Sequence, residues 1–151
     1  MPPQWTCPEC GALWDEGMTC ENAFHQMLYW ENEDPTKGTV HHLMVLGYHL
    51  QHPGLYSPDG LAYSLQLLVD FLEHEVTPQQ ARNSAPSGVD SSKRTWKIRG
   101  KPGAQGAYLH PVRWRMTAQD VVNSGTERYT MQVQAWVRSI LADLRASGNL
   151  D

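Results

Sequence analysis

The chain has little cysteine, no long apolar run and almost no positive charge in its first half. Its three cysteines are an odd number, which argues against the fully paired disulfide framework of a small secreted domain. No apolar stretch approaches the ~18 residues of a membrane span. The longest candidate, Leu43 to Leu50, is interrupted by Gly47 and His49. The N-terminus lacks the basic and apolar regions of a secretory signal. Gly-x-Ser-x-Gly, P-loop and Gly-x-Gly-x-x-Gly motifs are all missing, so no familiar hydrolase or nucleotide site can be read from the chain. Internal repeats are absent too. These absences point to a soluble, cytoplasmic protein that does not engage a membrane.

The chain does hold 151 residues, 40% of them apolar, with six Trp and six Tyr. That length predicts a single domain over 1–151, able to bury a core without covalent staples. Charge is unevenly laid out. Residues 1–79 carry eleven acids against one base, Lys37, whereas residues 80–116 carry eight bases against one acid, Asp90. The simplest expectation packs the basic segment on the acidic part of the chain. The alternative is a surface for nucleic acid or an acidic protein partner.

Start and stop signals predict helices. Thr19 caps a helix to about Trp30, with Glu21 in its first turn. Asp34-Pro35 opens a second, which ends near Gln51 before Pro53-Gly54. Ser57-Pro58 opens a third, with Leu61, Leu65, Leu68 and Leu72 on one stripe. Thr77-Pro78-Gln79-Gln80 opens another, and Thr117-Ala118-Gln119-Asp120 fits a capping box. A last helix carries Tyr129, Val133, Trp136, Val137, Ile140 and Leu144 and stops at Ser147-Gly148. Residues 1–19 read as irregular. Trp96-Lys97-Ile98-Arg99 alternates, and Tyr108 to Trp114 could be its strand partner. The expected fold is mainly α, a compact bundle of four to six helices with an N-terminal zinc knuckle and a short β-hairpin in residues 95–115.

Cys7-Pro8-Glu9-Cys10-Gly11 carries the chemistry. The C-x2-C spacing lets two thiolates converge on one ion, and Gly11 lets the backbone turn back beneath them. A redox pair would sit between a strand and a helix in a βαβ unit, which the flanking prolines do not suggest. Cys20 is the expected third thiolate. The second helix shows one apolar face and one histidine face, with His41 and His52 within about 20° of each other on the wheel. They lie roughly 16 Å apart along the axis, so they cannot share an ion. A short connection makes helices one and two antiparallel neighbours, and that brings His52 beside Cys20. His52 is therefore the expected fourth ligand, with His49, then His25 or water, as alternatives. His41 belongs near the turn, where acids such as Glu31 are in reach.

These residues resemble an uncharacterised bacterial family of small proteins known as a domain of unknown function. The likeness rests on Cys7-Pro8-Glu9-Cys10-Gly11-Ala12, Cys20, Val40-His41, Gln51-His52-Pro53, Thr117-Ala118-Gln119-Asp120-Val121 and Trp136. Met18-Thr19 and His42 depart from its pattern. The resemblance implies no activity and singles out Cys7, Cys10, Cys20, His41 and His52. The expected function is a structural Zn2+ site of Cys7, Cys10, Cys20 and His52, without catalytic residues, in a protein that binds or adapts a partner. Two alternatives are a metal-dependent enzyme using His41 or His49 as base, and a nucleic-acid-binding module built on residues 80–116.

Overall fold

The computed structural model describes residues 4–84 and 105–151. The chain opens on a two-stranded antiparallel hairpin, β1 (Gln4–Thr6) and β2 (Leu13–Asp15), with Trp5 paired to Trp14. Six α-helices follow among the described residues: α1 (Cys20–Glu33), α2 (His41–Leu50), α3 (Pro58–Glu73), α4 (Pro78–Ser84), α5 (Ala118–Asn123) and α6 (Tyr129–Ala146). None is long and apolar enough to cross a membrane.

The caps form where side chains can reach backbone N–H groups three residues on. Thr19 accepts from the Asn22 amide while Asn22 reaches back to Thr19. Ser57 accepts from Gly60, Thr77 and Gln80 bond reciprocally, and Thr117 shares a capping box with Asp120. Each such cap stabilises a helix start by about 1 kcal/mol.

Three expectations need correction. The first nineteen residues are not wholly irregular, because residues 4–15 make the hairpin. The second helix begins as a 3-10 turn, Pro35–Val40, and becomes α-helical only at His41. Gly38 and Thr39 lie in that turn and are poor α-helix formers. In the anticipated hairpin of residues 95–115, Trp96 to Arg99 lies outside the described residues, and Tyr108 to Trp114 is not a strand. It is an irregular segment tied down by side chains. Asn149 bonds both the amide and the carbonyl of His110. Asp143 takes the Arg115 amide at 2.9 Å and its Nε at 2.6 Å. Arg115 thus pairs with α6, not with the acidic first half.

The core gathers on α6. Tyr129, Val133, Trp136, Val137, Ile140 and Leu144 are fully buried, and α6 packs on α2, α3 and α5. Gly47 lets α2 approach, since a Cβ there would meet Val137 Cγ1 at 3.2 Å and Ile140 Cδ1 at 3.3 Å. Those neighbours are immobilised by their own burial. Gly47→Leu should therefore cost about 1–3 kcal/mol or more through overpacking, read as a lower denaturant midpoint at unchanged m-value.

Candidate metal centre

Three chain segments meet at one end of the α1–α2 pair. Residues 7–12 form the knuckle between β1 and β2. The Cys7 amide donates to Ala12 O and the Gly11 amide to Cys7 O, both at 2.9 Å. Gly11 sits at φ +80°, a left-handed conformation that a Cβ would strain. Cys20 is the first residue of α1. His52 follows α2, where Pro53 stops further helix, at φ −129° and ψ 63°.

These segments bring Cys7, Cys10, Cys20 and His52 together. One donor atom from each lies within 4.8 Å of all the others. Cys7 Sγ is 3.5 Å from His52 Nε2, and Cys10 Sγ is 3.5 Å from Cys20 Sγ. A tetrahedral ion with bonds of ~2.3 Å to sulfur and ~2.0–2.1 Å to nitrogen needs donors roughly 3.5–3.8 Å apart. The donor set and its spacing fit such an ion. All four residues are buried, between 3% and 6% exposed, which leaves the centre closed to solvent.

The surroundings orient the donors. His52 Nδ1–H donates to the Tyr48 carbonyl at 2.6 Å, so Nε2 is the nitrogen turned to the sulfurs. The Tyr48 ring lies 4.5 Å from the imidazole and 4.6 Å from Phe24. Trp14 Nε1–H donates to Cys20 Sγ at 3.2 Å, and the Cys10 amide to Cys7 Sγ at 3.5 Å. Such N–H···S bonds spread the negative charge of clustered thiolates.

Proton affinities in the cluster diverge. Hydrogen bonds from Cys10 and then Cys20 hold the Cys7 thiol far below its ordinary range, against the opposing effect of burial. Cys10 is pushed up by Cys20, Cys7 and burial. Burial alone would lower His52, but bonds to Cys20, Cys7 and the Tyr48 carbonyl together raise it to about 10. Close thiolates repel one another, so a cation placed among them would favour their ionised forms.

The other histidines lie elsewhere. Among the described residues, His49 Nδ1 donates to the Val45 carbonyl, and its ring packs on Tyr56 and Tyr48. His25 is exposed on α1. His42 packs edge-on against Phe71, and burial, then His41 beside it, lowers its pKa. His74 bonds Asp70. His41 sits near the turn, where its Nδ1 donates to Glu31 Oε1 at 2.6 Å.

The antiparallel reading of α1 and α2 can be checked pair by pair. Cys20 with His52, Phe24 with Tyr48 and Glu31 with His41 are each symmetric in sequence about Thr36, and each pair meets. Glu31, on the buried side of α1, also accepts from the Tyr129 hydroxyl. Glu31→Gln would give one amide group two donors to satisfy with a single oxygen. It should cost about 1–3 kcal/mol in denaturant unfolding while leaving metal content unchanged.

Trp14 and Tyr48 escaped the sequence reading. Only the position of Tyr48, four residues before His52 and within reach of its ring, could have suggested its role.

No curated protein and no solved structure matches the chain. The profile of a family of unknown function, DUF5946, matches residues 5–145, a span that includes all four residues of the cluster. The chain therefore belongs to DUF5946.

Proposed function

We propose that Cys7, Cys10, Cys20 and His52 hold one Zn2+ as a structural centre, and that the protein serves as a non-catalytic binding or adaptor module. The observation that carries this reading is the closed donor set: three sulfurs and one imidazole nitrogen, buried and spaced for tetrahedral coordination. Catalytic zinc sites keep one position for water or substrate, whereas structural sites use four protein ligands. The ion would neutralise two of the three thiolate charges and pin the hairpin and the start of α1 to the end of α2. Free thiols at this spacing suit a reducing compartment such as the cytoplasm.

His41 belongs to a different role. It is held by Glu31 at the far end of the helix pair, so it takes no part in coordination. His52→Ala should lower zinc affinity by about 10- to 100-fold or more, since it removes a ligand outright. His41→Ala should leave zinc in place. Zinc per chain after dialysis against a weak chelator measures both. Retention by His52→Ala together with loss by His41→Ala would reject the assignment.

A further inference from the structure

The hairpin has one closed edge and one open edge. The Cys7 amide bonds Ala12 O, so Cys7 and Ala12 form a hydrogen-bonded pair. Stepping by two makes Trp5 and Trp14 the next such pair. Gln4 with Asp15 and Thr6 with Leu13 are then the pairs whose backbone groups point outward. On β2 three of those four groups are taken. Gln119 accepts from the Leu13 amide at 3.2 Å and donates to the Leu13 carbonyl, as a neighbouring strand would. The Asp15 carbonyl accepts from Met18 at 3.0 Å. On β1 the outward amides and carbonyls of Gln4 and Thr6 have no partner among the described residues.

The surface around that edge has a definite character. Trp5 is 41% exposed although its pair, Trp14, is buried. Asp15, which accepts from Gln4 of β1 at 3.1 Å, and Glu16 beside it in sequence have no cationic partner among the described residues. No lysine or arginine occurs before Lys37.

We propose that the outer edge of β1 adds an extended, basic segment of a partner protein as a third strand. Its main chain would bond Gln4 and Thr6, as in other strand-addition complexes. Its apolar residues would lie beside Trp5 on the inner face. Its lysines or arginines would occupy the opposite face, toward Gln4 and Asp15. Alternation fits because successive side chains of a strand point to opposite faces. The inference rests on the binding role proposed above and gives it a partner class.

The test uses the full chain, with its zinc content measured first, and the synthetic peptide acetyl-Thr-Lys-Val-Lys-Val-Lys-Thr-amide. Saturating peptide should slow amide hydrogen exchange at Gln4 and Thr6 by about tenfold or more. Binding should weaken with salt. Alternate N-methylation of the peptide, which removes donors on one edge, should cost about tenfold in affinity. Asp15→Asn with Glu16→Gln should weaken binding severalfold by removing two negative charges, while Asn still accepts from Gln4 and keeps that contact. Equal binding of the methylated peptide, equal binding of a glutamate counterpart or no binding at all would overturn the proposal. So would Gln4 and Thr6 amides already protected without peptide, which would mean that the chain covers its own edge. Failure of the peptide on zinc-loaded protein rejects this inference alone. Peptide binding by a protein that carries no zinc rejects the metal reading alone.

Discussion

Stripping metal from the purified protein with a strong chelator should lower its melting temperature by on the order of 10 °C. The hairpin should lose order first. Strands of three residues cannot stand alone, and the knuckle between them has two backbone bonds of its own besides its sulfurs. The loss should be local at low temperature, since the six fully buried side chains of α6 include none of the four donors. Amide exchange should therefore quicken across residues 5–15 and at the start of α1, and much less in Val133 to Leu144. Cys20→Ser should reproduce the effect without chelator, because it removes a ligand and weakens the acceptor of the Trp14 indole. Unchanged melting and unchanged exchange after complete removal of metal would contradict a structural centre.

The second large effect belongs to Trp136. Its ring is fully buried, and its Nε1–H donates to Gln51 Oε1 at 3.1 Å. Gln51, also fully buried, passes its own amide to the Met116 carbonyl at 2.7 Å. This chain of bonds ties α6, the end of α2 and the segment before α5 together. Trp136→Ala should cost about 3–5 kcal/mol, from lost packing and a residual cavity, with Gln51 left short of a donor besides. Trp136→Phe keeps most of the volume and loses only the donor, so about 1–3 kcal/mol is expected. Equilibrium unfolding in urea measures both. Equal costs for the two variants would show that the hydrogen bond, not the ring's volume, dominates.

What could be read in advance was local or periodic. Thr19, Asp34, Ser57, Thr77 and Thr117 were recognisable as caps, because a cap is a contact between a side chain and a backbone group two or three residues away. The α3 and α6 stripes follow from the 3.6-residue period. The meeting of Cys20 and His52 followed from helix geometry and a short turn, with no tertiary information. The hairpin was hidden because its strands are too short to show an alternation. Tyr108 to Trp114 misled in the opposite way. It reads as the partner of a strand, yet Asn149 holds His110 and Asp143 holds the adjoining Arg115, and both partners lie far along the chain. Gln51 and Glu31 look like surface residues in a sequence. They are buried because Trp136, Met116, Tyr129 and His41 supply bonds that only the folded chain brings near.

X-ray absorption at the zinc edge tests the central claim most directly. Protein purified without added metal should carry about one zinc per chain. Its first shell should hold three sulfurs at about 2.3 Å and one nitrogen at about 2.0–2.1 Å, with the nitrogen lost in His52→Ala. A shell with an oxygen in place of the imidazole or of a sulfur would mean an open site. That result, or protein without metal, would contradict a closed centre of Cys7, Cys10, Cys20 and His52.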